Sequence, residues 1–147
     1  MANQKPQNLQ NHVRVVPPFH MFVLPVFLLN AGWSIYHVVK AGISFESILG
    51  VLMAFAFLTL ALFARVFALT VQDRVIRLEM RLRLAELLSP DSRSRIPEFT
   101  VAQLVSMRFA SDAELPALAR KVLDEKMNDR KAIKQQVKNW QGDYLRA

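Results

Sequence analysis

The chain has no cysteine, few glycines and no histidine after residue 37, and each absence removes a class of chemistry. Without Cys there is no disulfide framework, no thiolate nucleophile and no Cys-based metal site. The four glycines stand far apart, at positions 32, 42, 50 and 142, so no glycine-rich loop can cradle a phosphate. The commonest general base is missing from everything after His37. The sequence therefore predicts a protein that is not an enzyme and that uses no metal or cofactor.

Charged side chains are missing from two long stretches near the N-terminus. Residues 19–39 contain no Asp, Glu, Lys or Arg, and a second uncharged run, residues 48–64, continues through Arg65 to Val71. About 20 apolar residues suffice for a helix to cross a hydrocarbon core of roughly 30 Å. The sequence thus predicts a two-pass integral membrane protein. Its predicted segments are a cytoplasmic N-terminal segment (1–18), transmembrane helix 1 (19–39), an external connection (40–47), transmembrane helix 2 (48–71), a cytoplasmic extension of that helix (72–88) and a cytoplasmic helical domain (89–147).

The basic residues predict the orientation of the two spans. The N-terminal segment carries Lys5 and Arg14, whereas the connection carries Lys40 offset by Glu46. A cluster of arginines begins at the end of the second span: Arg65, Arg74, Arg77, Arg81 and Arg83. Because Lys and Arg are enriched on the cytoplasmic side, we expect both ends inside and the connection outside. The five arginines also predict a collar that attracts anionic lipid, with Arg65 near enough to the boundary to reach the headgroups.

The second span and its extension carry a heptad seam. Small or apolar residues follow each other in alternating steps of four and three: Gly50, Ala54, Phe57, Ala61, Ala64, Ala68, Val71, Val75, Leu78, Leu82 and Ala85. Small residues let helices approach closely inside a membrane, and Val and Leu gain from leaving water outside it. The pattern predicts one long helix that can self-associate into a homo-oligomer.

Charges beside the seam fit a parallel pair of helices. With Val75 at an a position, Arg74 and Arg81 fall at g, and Glu79 and Glu86 fall at e. In a parallel pair each g residue faces the e residue five positions later in the partner, which here joins Arg to Glu. The alternative is that the seam packs inside the chain, because the first span must rest on something in the membrane and a stripe of small residues would serve. A second apolar stripe (Ile76, Met80, Leu84 and Leu87) shares the helix, so one stripe can dock the C-terminal domain while the other is left for a partner.

Helix signals recur after residue 88 and predict a small all-helical domain. Residues 89–97 read as a turn or loop, and Thr100 with Gln103 predicts a capping box at the start of a short helix. Ser111 and Glu114 predict a second capping box. Asn128 or Asp129 is the expected cap of a last helix that includes Ile133, Val137 and Trp140 and that Gly142 closes. The predicted fold is all-α, a two-helix transmembrane hairpin whose second helix extends into the cytoplasm and packs with the small helical C-terminal domain.

Lys131, Lys134 and Lys138 predict a basic partner surface along the last helix. Acidic neighbours and the lack of interleaved stacking aromatics make nucleic acid an unlikely partner. The leading functional hypothesis is a membrane-anchored interaction or scaffolding protein, or an accessory subunit of a larger assembly. The alternatives are a membrane-tethered nucleic-acid-binding protein and a transporter component that acts as an oligomer.

Several stretches resemble a known family. They are residues 72–79 (QDRVIRLE), residues 108–116 (RFASDAELP), Asn11-His12, and residues 132–134 (AIK) followed by Trp140. They are similar to an uncharacterised bacterial family of two-pass membrane proteins known only as a domain of unknown function. The resemblance implies the hairpin topology and a location in the bacterial cytoplasmic (inner) membrane, and it implies no catalytic residues.

Overall fold

The computed structural model describes residues 6–13 and 15–144, and their regular structure is helical. The elements in chain order are a π-helical turn (Pro18–Val23), α1 (Leu24–Ala41), α2 (Phe45–Leu87), α3 (Pro90–Arg93), a 3-10 turn (Ile96–Glu98), α4 (Val101–Met107), α5 (Leu115–Asp124) and α6 (Arg130–Gln136). The described residues contain no β-strand, only an isolated antiparallel bridge between Ala110 and Trp140. The predicted all-α class is confirmed.

The chain divides into two compact units. One unit comprises the described residues up to Val13 and those from Thr70 onward, and the other comprises the described residues between them, up to Leu69. The long helix α2 supplies residues to both units.

In the second of these units, three residues separate α1 from α2. Gly42 ends α1 with φ 90°, a conformation that residues with a Cβ rarely adopt, and its N–H donates to the carbonyl of Val38 at 3.0 Å. The N–H of Ser44 donates to Ser47 Oγ at 2.8 Å, and the N–H of Ser47 donates to Ser44 Oγ at 3.1 Å. This reciprocal pair satisfies free donors at the start of α2 in the manner of a capping box.

Both helices of that unit are long and apolar enough to cross a membrane. The candidate spans are Pro18–Ala41, with 24 residues, and Phe45–Leu87, with 43 residues. The small side chains of Ala31 in α1 and of Ala54 and Ala61 in α2 are buried. The rings of Phe27 and Phe57 stack with centroids 5.5 Å apart. This ring pair is a direct contact between α1 and α2.

The described residues of the other unit share a hydrophobic core. One face of α2 lines it with Ile76, Met80, Leu84 and Leu88. The remaining elements cover that face with Phe99, Leu104, Val105, Met107, Phe109, Ala110, Leu115, Leu118, Ala119, Val122, Ile133 and Val137. Ile76, Met80 and Leu84 belong to the second apolar stripe that the sequence shows on this helix.

Local hydrogen bonds define the ends of α4 and α5. Thr100 and Gln103 form the predicted capping box at the start of α4. At the end of α5, Met127 N–H donates to the Val122 carbonyl at 3.0 Å and Lys126 N–H donates to the Leu123 carbonyl at 3.2 Å. This is the Schellman pattern, and it places Lys126 at φ 48°, where glycine is usually found.

The predicted box at Ser111 and Glu114 forms only by half. Ser111 N–H donates to Glu114 Oε1 at 3.2 Å, but the hydroxyl of Ser111 is buried with no hydrogen-bond partner among the described residues. Glu114 instead extends its carboxylate to the backbone N–H groups of Lys138, at 3.1 Å, and Asn139, at 3.2 Å. The carboxylate thus caps a distant segment as well as its own helix.

The prediction that the last helix runs through Trp140 to Gly142 is wrong. Asp129 caps α6 as expected, yet the helix ends at Gln136 and Val137 is extended. The following backbone bonds to other elements, because Glu114 accepts from residues 138 and 139 and the N–H of Gln141 donates to the Phe109 carbonyl at 2.7 Å. These tertiary hydrogen bonds replace the intrahelical ones that residues 137–142 would otherwise need.

Candidate assembly surface

The part of α2 after Thr70 carries two apolar faces, of which one is buried and the other is exposed. The face with Ile76, Met80 and Leu84 is almost wholly buried, with exposed fractions of 4%, 2% and 0%. The predicted seam lies on the other side of the helix, because the centre of the seam is about half a turn from the centre of the core positions. Its four members remain open to solvent at 60%, 49%, 61% and 64% for Val71, Val75, Leu78 and Leu82. We call these four residues the exposed row.

Some residues of the same seam are buried where α2 belongs to the other unit. Ala54 is fully buried and Ala61 is 6% exposed, whereas Gly50 is partly exposed and a Cβ added there would meet no atom within 4 Å. Ala68 is exposed. The part of the seam around Ala54 and Ala61 therefore packs inside the chain, as the alternative interpretation expected, and the exposed row does not.

Charged side chains line both edges of the exposed row. Arg74 and Arg81 lie along one edge, and Glu79 and Glu86 lie along the other, at helical positions one step before and four steps after the a positions. Among the residues that the structure describes, none of these four side chains takes part in an ion pair. The Nε atom of Arg81 is buried without a hydrogen-bond partner in that same part of the chain.

Arg83 differs from the other arginines of the predicted collar. Its guanidinium donates to Asp112 Oδ1 at 2.6 Å, to the Ala110 carbonyl at 2.6 Å, to Gln141 Oε1 at 2.9 Å and to the Arg108 carbonyl at 3.3 Å. Its donors are therefore used inside the protein, and Arg83 does not belong with a lipid-facing group. It connects α2 to the C-terminal helices instead.

The remaining collar residues are more accessible. Arg74 and Arg77 are exposed, and Arg65 and Arg81 are partly exposed. Arg74, Arg77 and Arg81 fall within about a sixth of a turn of one another around α2, given 3.6 residues per turn. These three share one side of the helix, whereas Arg65 lies on a different side.

The three predicted lysines do not form one free row. Lys131 is exposed in α6, but Lys134 is partly buried and its Nζ lies 3.0 Å from His12 Nε2. Lys138 lies beyond the end of α6, where its backbone N–H binds Glu114. The structure thus places Lys134 in an internal contact and separates Lys138 from the helix that was expected to carry it.

The sequence does not predict that the N-terminal segment docks on the C-terminal helices. The imidazole of His12 lies 5.7 Å from the rings of both Phe109 and Trp140, which themselves stack at 4.7 Å. Gln7 forms two hydrogen bonds with the backbone of Asp143, at 3.1 and 3.0 Å. The Asn11-His12 pair belongs to the family resemblance, but a resemblance predicts no partner for His12 within the chain.

A polar cleft of about 210 Å³ lies beside this docked segment. It is lined by Glu79, Met80, Arg83, Arg108, Gln141, Gly142 and Asp143. Its two arginines are already engaged, because Arg83 pairs with Asp112 and Arg108 Nε lies 2.9 Å from Asp143 Oδ2. Nor do three His, Asp or Glu side chains come together to hold a metal anywhere in the described residues. The two arginines of the cleft thus hold segments of this unit together.

Another ion pair holds the 3-10 turn to α5. Arg95 Nη1 lies 2.8 Å from Asp124 Oδ1, and its Nε lies 3.3 Å from Glu98 Oε1. Hydrogen bonds to Asp124 and then to Glu98 raise the pKa of Arg95 above its ordinary value. Arg95 therefore stays charged and serves the structure.

Comparison with known proteins identifies the family. Residues 1–147 match the model of a family of unknown function (DUF6526), and the chain belongs to that family. No curated protein and no solved structure matches the chain.

Proposed function

We propose that this member of the DUF6526 family is a two-pass protein of the bacterial cytoplasmic membrane that acts through binding, as a scaffold or as an accessory subunit of a larger assembly. The observation that carries the proposal is the exposure of the two apolar helices. Only 6% of the apolar window in Pro18–Ala41 and 17% of that in Phe45–Leu87 is buried. A core helix of a soluble protein buries most of such a surface, whereas lipid covers it in a membrane protein.

The contacts of the N-terminal segment support an even number of crossings. Gln7 and His12 precede both candidate spans, yet they bind Asp143, Phe109 and Trp140, which follow them. Segments that fold together must lie on one side of the membrane. The basic residues that follow the second span favour the cytoplasm as that side.

The accessible arginines support contact with anionic lipid. Arg74 and Arg77 are exposed and stand one to two turns beyond Val71, the predicted inner end of the second span. Each basic residue near an anionic surface adds about 1 kcal/mol of attraction. Arg65, which is partly exposed, has a stem long enough to carry its charge toward the same headgroups.

A binding role is favoured over catalysis by what the surfaces offer. The polar cleft holds arginines that are already paired with carboxylates, and the exposed row offers apolar area next to unpaired charges. Apolar residues left open beside charges are typical of a site for another protein. The role therefore centres on α2 after Thr70.

Membrane flotation combined with mass measurement tests the proposal. The full chain should float with lipid vesicles and should resist extraction at alkaline pH. After transfer from the membrane into nanodiscs, the measured mass of the protein should exceed that of one copy. Release by alkaline washing would contradict the two-pass membrane assignment. A strictly monomeric particle without any bound protein would contradict the binding role while leaving the assignment intact.

A further inference from the structure

The exposed row is unusual because the helix that carries it already has a full core on its other side. Val71, Val75, Leu78 and Leu82 stay half to two-thirds exposed, although Ile76 and Met80, which lie between them in sequence, are buried. Before the row, the seam passes through Ala68 and Ala64, which are exposed, to Ala61, which is buried. The part of the seam from Val71, the inner end of the predicted second span, to Leu82 is a strip about three turns long and consists of the exposed row.

The charges beside this strip indicate which chemistry would cover it. A partner helix must place acidic groups against Arg74 and Arg81 and basic groups against Glu79 and Glu86. The strip's own sequence meets this requirement when two copies lie parallel, because each g residue then faces an e residue of the other copy. In an antiparallel pair, Arg would face Arg and Glu would face Glu, which is repulsive.

Insertion into one membrane selects the favourable arrangement. Two copies with the same topology present α2 in the same direction, so only the parallel pairing is open to them; this step rests on the proposed membrane topology. Four apolar residues form too short a seam for a stable pair in solution. Anchoring in a shared bilayer raises the local concentration of the two strips and compensates for their small area.

We propose that a second copy of this chain covers the exposed row, forming a parallel helix pair in which Arg74 of one copy meets Glu79 of the other and Arg81 meets Glu86. The a and d layers of this pair are Val71, Val75, Leu78 and Leu82, with Val75 and Leu82 at the a positions on the axis. The otherwise unpaired Arg81 then has an acidic neighbour. The buried face with Ile76, Met80 and Leu84 keeps its role in the core of each copy.

Single cysteines in the full, naturally Cys-free chain test the geometry. Val75→Cys and Leu82→Cys lie on the axis of the proposed pair and should form disulfide-linked dimers when membranes are mildly oxidised. Arg77→Cys is the matched control, since Arg77 is exposed on the same stretch of α2 but points away from the row. We expect the yield of dimer from Val75→Cys to exceed that from Arg77→Cys roughly tenfold, as expected for side chains in contact rather than apart.

Charge exchange tests the identity of the partner. Arg74→Glu with Arg81→Glu should lower the yield of dimer through Val75→Cys roughly tenfold, because four exposed charge pairs per dimer become repulsive. Glu79→Arg with Glu86→Arg should have the same effect in a second chain. Coexpression of the two altered chains should restore crosslinking between them and not within either, because every g residue then meets an opposite charge.

Three outcomes would overturn the proposal. A second copy is excluded as the occupant if Val75→Cys and Arg77→Cys give equal yields of dimer. It is also excluded if the two charge-altered chains never pair with each other, or if Val75→Cys forms a crosslink to a protein of different mass. If the chain still floats with membranes in those experiments, the membrane assignment survives and only self-association fails. A chain that does not enter membranes overturns both, since the parallel orientation is then no longer imposed.

Discussion

Replacing Arg83 by Ala should destabilise the unit that contains the C-terminal helices. The loss should be much larger than for replacing any other arginine in the part of α2 after Thr70. Four hydrogen bonds end at this guanidinium, to Asp112, Ala110, Gln141 and Arg108. Hydrogen bonds to a charged group are worth about 1.5–3 kcal/mol when buried, and a buried carbonyl left without a donor costs about 1–3 kcal/mol.

Partial exposure reduces the first of these contributions. The side chain of Arg83 is 21% exposed and that of Asp112 is 61% exposed, so the ion pair itself adds less than about 1 kcal/mol. Ala110 is fully buried, and the loss of the donor to its carbonyl carries its full cost. We therefore expect Arg83→Ala to lower the free energy of unfolding by about 3 kcal/mol.

Trp140 reports this unfolding directly, because its indole stacks on Phe109 in the affected unit. The measurement is urea denaturation of the full chain in nanodiscs, followed by tryptophan fluorescence in a Trp33→Phe background that leaves Trp140 as the only indole. Arg77→Ala is the control and should change stability by less than about 0.5 kcal/mol. Arg83→Lys should recover little, because a single ammonium cannot replace the planar fork. If Arg83→Ala and Arg77→Ala unfold at the same urea concentration, the assigned role of Arg83 is wrong.

Three further changes test the fold with the same assay. Lys126→Gly should raise the free energy of unfolding by about 0.5–1 kcal/mol, because Lys126 has φ 48°, which glycine adopts without strain. Lys121→Gly, which places glycine inside α5, is the control and should lower the free energy of unfolding by about 1 kcal/mol. A loss of stability at both positions would contradict the Schellman assignment. Leu84→Ala should cost about 3 kcal/mol because Leu84 is fully buried, whereas Arg77→Ala, at an exposed position outside the proposed helix pair, should cost less than about 0.5 kcal/mol; equal costs would mean that the core face of α2 is wrongly assigned. Thr100→Ala should cost about 1 kcal/mol through loss of the capping box, and an unchanged midpoint would show that the box contributes nothing.

Features that depend on neighbouring residues were predictable from the sequence. The capping box at Thr100 and the cap at Asp129 each rest on side chains within three residues of the backbone they bind. The uninterrupted helix over residues 45–87 follows from the lack of Pro and the scarcity of Gly in that stretch. The core face of α2 follows from the spacing of its apolar residues.

Features that depend on distant residues were not predictable. The last helix ends early because Glu114 binds the backbone of residues 138 and 139, which are 24 and 25 positions away. In the sequence, Arg83 is one of five arginines of the predicted collar. Only the fold brings Asp112 and Gln141 to its guanidinium. The contact of Gln7 with Asp143 joins residues 136 positions apart, and no local sequence pattern predicts it.

The heptad seam shows both situations within one helix. Its alternating steps of four and three predicted which side of α2 is apolar, but not what each part of that side packs against. Ala54 and Ala61 are buried within the chain, whereas Val75 and Leu82 are left open. Spacing defines a face of a helix, and the rest of the fold decides whether that face has a partner inside the chain.

The sidedness of single cysteines tests the central claim most directly, since the chain supplies no cysteine background. Gln10→Cys, Ile43→Cys and Lys131→Cys place one exposed thiol before α1, between α1 and α2, and in α6. In intact bacterial cells with a permeable outer membrane, a maleimide that cannot cross the cytoplasmic membrane should label Ile43→Cys alone, and the other two should react only after that membrane is opened. Labelling of Gln10→Cys and Lys131→Cys on opposite sides, or of all three on one side, would contradict a two-pass protein with both ends in the cytoplasm.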